Sequence, residues 1–336
     1  MMVLKVGING FGRIGRLVAR VIQERNDIDL VAVNDIGNAK TAAHLLKYDS
    51  VHGTFNQPVE AGEGFIQVGE HRIRFFSERD PSMIAWDDEG VQIVIEATGR
   101  FTKGPQAKAH IRGGVKKVLL TAPGSEVDFT MVMGVNHDKY DKDNHHIVSN
   151  ASCTTNCLAP VAKVLNDNFG IVKGLMTTIH SYTNDQRILD LDHRDLRRAR
   201  AGALSMIPTS TGAARALGLV LPELSGKLNG MAIRVPTPNV SIVDLVAELE
   251  KPATAEAVNE SFRIASQSTL AGILEFSDLP LVSKDFNGNP NSAVVDGPLT
   301  MAMGDNMVKV IAWYDNEWAY SYRVVDAVCY MAAQGI

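Results

Sequence analysis

The sequence predicts an α/β chain in two domains: a doubly wound parallel sheet first, then an α+β domain on a mostly antiparallel sheet. Three observations carry this. The 336 residues exceed what a single hydrophobic core usually serves. Apolar, strand-like runs alternate with helical periodicity up to about residue 150. After residue 170, long β-rich runs follow one another with few helices between them.

Composition narrows the class. Hydrophobic residues make up 45% and charged residues 21%, ordinary for a globular chain with a substantial core. A net charge of −5 gives no general affinity for nucleic acid or anionic membrane, so neither partner is indicated. Three cysteines supply no disulfide framework, which makes a reducing cytoplasm the expected location. The first ten residues, with their single lysine, read as a strand rather than a signal peptide. No apolar run approaches the length of about 18 residues that a membrane span requires.

The first half opens on an apolar run, Val3 to Ile8, followed by Gly10-Phe11-Gly12-Arg13-Ile14-Gly15. A helical pattern with Leu17, Val18, Val21 and Ile22 on one side comes next, then a strand over Leu30 to Val33. Asp35 lies 20 residues beyond Gly15. Strand, G-x-G-x-x-G, helix, strand and acid in this register predict a Rossmann-type dinucleotide site. The glycines permit a tight turn and close approach of pyrophosphate to a helix N-terminus, and the acid accepts hydrogen bonds from ribose hydroxyls. A carboxylate there repels a 2′-phosphate, which favours NAD over NADP. The runs Gln92–Gly99 and Lys117–Pro123 continue the alternation, and both end in small or polar residues where a ligand crevice is expected.

Residues 148–160, Val-Ser-Asn-Ala-Ser-Cys-Thr-Thr-Asn-Cys-Leu-Ala-Pro, run from a strand end into a helix that should stop at Gly170. Cys153 then falls in or beside the first turn, where backbone N–H groups and the helix dipole favour thiolate. A buried, inert cysteine is the competing reading. Cys157 lies one turn on and is read as packing, because no further Cys or clustered His completes a metal set; no metal is expected.

In the second half, Met176–Ile179, Met231–Val235, Val240–Glu250 and Met307–Tyr314 read as strands and Thr254–Ala265 as a helix. The last 18 or so residues read as a helix able to pack back on the first domain. His180 closes a strand 27 residues after Cys153 and is the candidate base, against the alternative of a structural histidine. Arg234 in a strand pattern needs an anionic partner such as phosphate or carboxylate. Thr209–Ala214 reads as a hydroxyl-rich helix start able to hold an anion.

Together these residues resemble the phosphorylating glyceraldehyde-3-phosphate dehydrogenase family. The likeness covers essentially the whole chain. It rests on Ile-Asn-Gly-Phe-Gly-Arg-Ile-Gly-Arg at 8–16, Ala-Ser-Cys-Thr-Thr-Asn-Cys-Leu-Ala-Pro at 151–160, Thr-Ser-Thr-Gly-Ala-Ala at 209–214, Arg-Val-Pro-Thr-Pro-Asn-Val-Ser at 234–241 and Trp-Tyr-Asp-Asn-Glu-Trp at 313–318. The resemblance implies that Cys153 attacks the aldehyde of glyceraldehyde 3-phosphate and that His180 takes the hydroxyl proton as hydride passes to NAD. Inorganic phosphate then cleaves the resulting thioester. It assigns Thr183 and Arg234 to the C3 phosphate, and Ser152, Thr154, Thr211 and Gly212, with Arg198, to the attacking phosphate. Gly10, Gly12, Arg13, Ile14, Gly15, Asp35, Arg79, Thr121 and Asn316 fall to NAD, with Tyr320 packed near Asn316.

The resemblance also implies a homotetramer, with 1–151 and 319–336 as the NAD-binding domain and 152–318 as the catalytic domain. Three positions depart from the common pattern: Asp192, Ala319 and Tyr322. Asp192 is expected near a neighbouring subunit's adenosine ribose, where it would oppose NADP further. The nearest alternative is erythrose-4-phosphate dehydrogenase, disfavoured by the form of residues 209–214.

Overall fold

A computed structural model describes residues 3–336. Two compact units are present. One comprises the chain up to Met131, His137–Ser152 and Ser321–Ile336; the other comprises Val132–Asn136 and Cys153–Tyr320.

The strands of the first unit are β1 (Leu4–Asn9), β2 (Ile28–Asn34), β3 (Tyr48–Asp49), β4 (Gly53–Thr54), β5 (Val59–Gly62), β6 (Phe65–Val68), β7 (His71–Phe76), β8 (Ile93–Glu96), β9 (Lys117–Leu120), β10 (Phe129–Thr130) and β11 (Ile147–Ser149). Nine of them form one sheet in the order β10-β11-β9-β8-β1-β2-β7-β6-β5. The pairs from β10 across to β7 are parallel, whereas β7, β6 and β5 pair antiparallel as an edge meander. Ile93, Val94 and Ile95 are all fully buried, as a parallel strand covered on both faces requires. Its helices are α1 (Arg13–Ile22), α2 (Ala39–Lys47) and the short α3 (Gly104–Ala107). Helix α1 buries Leu17, Val18, Val21 and Ile22, the stripe expected from its periodicity.

Strand β1 lies between β2 and β8, so the chain order reverses there. In open α/β sheets a crevice opens at the carboxyl ends of strands around such a reversal. That places the glycine loop after β1, Asp35 after β2 and Thr98 after β8 around one opening.

The second unit holds β12 (Ile171–Ser181), β13 (Ile207–Ser210), β14 (Leu228–Val235), β15 (Ser241–Leu249), β16 (Leu274–Ser277), β17 (Ala293–Asp296), β18 (Met301–Met303) and β19 (Met307–Tyr314). The sheet runs β13-β14-β12-β15-β19-β17-β16, with β18 added to β19. Only β12–β14 and β16–β17 pair in parallel among these; the other pairs are antiparallel. Helix α4 (Cys153–Phe169) packs against β15 and β19 and beside α5 (Ala213–Val220) and α6 (Ala255–Ser266). It stops at Gly170, where φ is +71° and the N–H bonds to Asn166 O at 2.9 Å. Thr254 caps α6 through a 3.2 Å bond from Ala257 N–H. Helix α7 (Trp318–Gln334) belongs to the first unit from Ser321 onward.

Asp49 fixes the loop that faces the start of α1. Its carboxylate accepts from Val51 N at 2.8 Å and His52 N at 2.9 Å, and is forked by Arg13 at 3.2 and 3.3 Å. Burial pushes this carboxyl up, but the His52 and Val51 N–H bonds and the Arg13 charge together bring it down to about 2. A depressed acid stabilises the fold above its unfolded value and loses that contribution as pH falls through the folded one. Asp49→Asn should therefore cost about 1–2 kcal/mol at neutral pH, allowing for solvent screening. Denaturant titrations should show the gap between variant and parent closing from about pH 4 down to about pH 2. A gap that stays constant with pH would assign the cost to packing instead.

Candidate active site

The dinucleotide crevice holds about 480 Å3 and is lined by Asn9, Gly10, Gly12, Asn34, Asp35, Ile36, Glu78, Arg79, Ala97, Thr98, Arg100 and Phe101. Gly10 has φ +95°, and a Cβ on Gly15 would stand 2.1 Å from Gly10 O, so both positions exclude side chains. A Cβ on Gly12 would meet nothing within 4 Å. The loop is thus tight beneath and open above. Helix α1 starts there with no side-chain cap, which leaves its first N–H groups and dipole directed at an incoming anion. Asp35 is tied to this loop: Oδ2 accepts from Phe11 N at 2.7 Å and Oδ1 from Gly37 N at 3.2 Å. An anion cradle beside a fixed carboxylate fits a pyrophosphate next to a ribose. These residues fit a dinucleotide.

The crevice brings together Gly10, Gly12, Asp35 and Arg79 among the expected cofactor residues. Arg13 directs its guanidinium to Asp49, so what it and Ile14 offer at the loop is backbone in the first turn of α1. Thr121 follows β9 and donates its N–H to Glu96 O at 2.9 Å. Ile36, Glu78, Arg100 and Phe101 escaped the reading of single motifs. The signal available for Arg100 and Phe101 was their place just after a strand end.

In the second unit, strand register assembles the reactive residues. His180 pairs with Arg234 across β12 and β14, so their side chains lie on one face. The two-residue period puts Thr178 on that face as well. Across β15, Ser241 pairs with Tyr314 of β19. Helix α4 begins at Cys153 against this face, with Sγ 3.5 Å from His180 Nε2. One residue on, Thr154 Oγ1 lies 2.9 Å from the Tyr314 hydroxyl, which is also 3.0 Å from Thr178 Oγ1. The Tyr314 hydroxyl therefore pins the first turn of α4 to the sheet.

His180 Nδ1 lies 2.7 Å from Arg234 Nη1 and 2.7 Å from Ser181 O. These contacts exclude one another as hydrogen bonds of a single tautomer. Guanidinium only donates, so bonding to Arg234 makes Nδ1 an acceptor and puts the ring proton on Nε2, toward sulfur. Bonding to Ser181 O puts the proton on Nδ1 and leaves Nε2 as a base. Arg234 Nη1 also donates to Ser181 O at 3.0 Å.

Burial, reinforced by the Arg234 charge, pulls His180 down to about 3. Burial likewise pushes the Cys153 thiol up, opposed by the Arg234 charge and by the Thr154 N–H. The Thr154 N–H acts in the direction expected of a helix start, and burial acts against it. Burial thus works against charge on both members of the pair. Cys157 is fully buried in α4, and the three cysteines are free thiols.

Of the expected phosphate residues, Arg234 stands beside His180. Arg198 is held by Asp185 at 2.6 Å, Thr209 at 2.9 Å and Ser210 O at 3.3 Å. Gly212 is the N-cap of α5 without a side-chain cap, and Thr211 Oγ1 accepts from Ala213 N at 3.2 Å. Thr183 N donates to Gln186 Oε1 at 3.3 Å, and Ser152 directly precedes α4. Asn316 is oriented by Ser241 Oγ, which donates to its Oδ1 at 2.8 Å. Of the departures, Tyr322 bonds to Glu24, Ala319 is buried, and Asp192 uses its backbone oxygen to hold Arg187 at 3.0 Å. Among the described residues no helix is long and apolar enough to cross a membrane.

Comparison with known proteins agrees with this geometry. Residues 4–104 match the description "Glyceraldehyde 3-phosphate dehydrogenase, NAD binding domain", and residues 152–316 match "Glyceraldehyde 3-phosphate dehydrogenase, C-terminal domain". The chain is 60% identical to glyceraldehyde-3-phosphate dehydrogenase 1 of Bacillus cereus over 332 residues, 99% of each chain. It is 59% identical to glyceraldehyde-3-phosphate dehydrogenase of Geobacillus stearothermophilus over 335 residues, the full length of both. Identity to the enzyme of Streptomyces coelicolor is 55%, over 99% of this chain and 100% of that one. With a dinucleotide crevice, a cysteine at a helix start facing histidine, and likeness of this extent along its whole length, the chain belongs to the glyceraldehyde-3-phosphate dehydrogenase family.

Proposed function

We propose that the chain oxidises glyceraldehyde 3-phosphate with NAD and inorganic phosphate to give 1,3-bisphosphoglycerate and NADH, with Cys153 as nucleophile and His180 as the proton-transfer group. The observation that carries this is the 3.5 Å approach of Cys153 Sγ to His180 Nε2, with Arg234 on the far side of the same ring. NAD, when bound, accepts the hydride. Gly10, Gly12, Gly15 and the first turn at Arg13 and Ile14 hold its pyrophosphate, Asp35 its ribose, and Arg79 and Thr121 further parts. Asn316 presents an amide already oriented by Ser241 for the carboxamide. Residues 1–151 with 319–336 carry the cofactor and 152–318 the chemistry.

Arg234 connects substrate binding to proton transfer. Drawn to the C3 phosphate together with Thr183, its guanidinium leaves His180 Nδ1, which then donates to Ser181 O. The ring proton is now on Nδ1, and Nε2 can take a proton. It first receives that of the Cys153 thiol as sulfur adds to the aldehyde, and returns it to the new alkoxide, which leaves Nε2 free again. It next takes the thiohemiacetal hydroxyl proton as hydride departs, leaving a thioester. Phosphate, held by Ser152, Thr154, Thr211, Gly212 and Arg198, then attacks the thioester carbon and displaces the Cys153 sulfur.

The exposed Ile188, Leu189, Leu191, Leu196 and Leu204 give residues 181–204 an apolar surface suited to contact between copies, which supports a homotetramer. The cytoplasm is the proposed location, and nucleic acid or membrane is not a proposed partner.

NADH absorbance with glyceraldehyde 3-phosphate should rise continuously only when phosphate is supplied, with erythrose 4-phosphate a poorer substrate. Cys153→Ser should abolish turnover. Preference for the tetrose would replace this substrate assignment, and turnover surviving in Cys153→Ser would remove the nucleophile from its role.

His180→Asn should lower kcat about 10²–10⁴-fold, the usual span for a lost acid–base group. It should also move the pH profile of Cys153 alkylation by iodoacetamide upward, because the thiolate loses the Nε2–H donor. An unchanged alkylation profile would mean that the two side chains do not share a proton.

A further inference from the structure

The crevice strands end in polar residues that bond to one another sideways. Asn34, last in β2, binds the Glu78 backbone twice, accepting from its N–H at 2.8 Å and donating to its carbonyl at 2.9 Å. The same Nδ2 donates to Asn9 Oδ1 at 2.8 Å, and Asn9, last in β1, donates to Glu96 Oε2 at 2.6 Å. Glu96, last in β8, accepts at Oε1 from Thr98 N at 2.8 Å and from the Thr98 hydroxyl. Thr98 Oγ1 accepts in turn from Arg100 N at 3.0 Å.

Behind Glu96, His110 Nε2 lies 3.1 Å from Oε2, and Trp86 Nε1 lies 3.1 Å from His110 Nδ1. Indole N–H only donates, so Nδ1 accepts and the ring proton sits on Nε2, directed at the carboxylate. Trp86 thereby fixes the tautomer of a ring that is 0% exposed.

We propose that Asn9, Asn34, Glu96 and His110 act as one cross-strand relay that positions the two rims of the dinucleotide crevice, and so are positioning residues for NAD. This rests on the NAD reading of that crevice. Both ends of the chain of bonds finish on backbone that lines it: Glu78 beside Arg79 on one rim, Thr98 and Arg100 on the other. A buried carboxylate is a costly way to hold strands that apolar contacts already hold, and it is tolerated where every oxygen is satisfied. Glu96 meets that condition on both sides. An amide does not: turned either way, its NH2 group faces Thr98 N–H or the His110 and Asn9 donors. What the relay gains is a crevice already shaped before ligand arrives.

The test compares Glu96→Gln, His110→Phe, His110→Gln and Trp86→Phe in the full-length protein, with NAD affinity read by calorimetry well below each variant's Tm. Glu96→Gln and His110→Phe should weaken NAD about tenfold and raise KM for NAD in parallel. KM for glyceraldehyde 3-phosphate, kcat at saturating NAD and the Cys153 alkylation rate should stay within about twofold. His110→Gln keeps both a donor and an acceptor and should restore most of the affinity. Trp86→Phe keeps an aromatic ring in the core while deleting the tautomer lock, and should weaken NAD about threefold. It decides the matter should His110→Phe fail to fold.

Lower Tm with unchanged NAD affinity in these variants would make the network structural and overturn the proposal. A His110→Gln protein as weak as His110→Phe would overturn the hydrogen-bond account. Failure of the parent protein to bind NAD would strike the reading of the crevice itself, a different result from either.

Discussion

Strand register is the constraint on which the chemistry depends. His180 and Arg234 are 54 residues apart and become neighbours only because β12 and β14 run parallel with these two positions paired. A slip by one residue would turn one of them to the opposite face. The same pleat sets Thr178 to meet Tyr314, whose hydroxyl also bonds Thr154 in the turn that carries Cys153. One register therefore controls His180, Arg234 behind it and the seat of the helix that carries Cys153. Buried β-rich segments resist such slips, since a shift exposes every apolar side chain on the strand. The alternating burial along β15, pressed against α4, is the visible form of that resistance.

How much of this was legible in the sequence follows from the range of the interactions. The glycine loop, the helix after it and Asp35 are local or linked through one βαβ unit, and periodicity revealed them. Helix α4, its start at Cys153 and its stop at Gly170 are set by adjacent residues, and they too were readable. The edge meander β5–β7 was not, because its strands are only four to six residues long and their antiparallel turn-back leaves little periodic signal. His110 sits in a segment without clear periodicity. Its importance comes from Trp86 and Glu96, 24 and 14 residues away, and sequence distance carries no information about such a meeting. Arg198 was singled out, but not its grip on Asp185 and Thr209, which needs the fold of the whole 181–210 segment.

The cysteine meets opposed influences at the start of α4. A helix start was expected to favour thiolate, and the Thr154 N–H does act in that direction. Yet burial pushes the thiol up, and burial with the Arg234 charge pulls the imidazole beside it down. At 3.5 Å the two groups are close enough to share a proton, and burial opposes charge on each of them.

In the proposed mechanism, activation comes with the substrate. Arg234 adds to the burial that depresses His180, and its charge also favours thiolate, so its position bears on both partners at once. While it rests on Nδ1, the ring proton faces sulfur and Nε2 has no capacity to accept. When an anion draws the guanidinium away, the penalty on imidazolium falls and Ser181 O is waiting for the Nδ1 proton at the same 2.7 Å. The phosphate of the substrate would thus do more than anchor one end of a triose. It would change which nitrogen of His180 is basic, and couple recognition of the distant phosphate to the readiness of the sulfur.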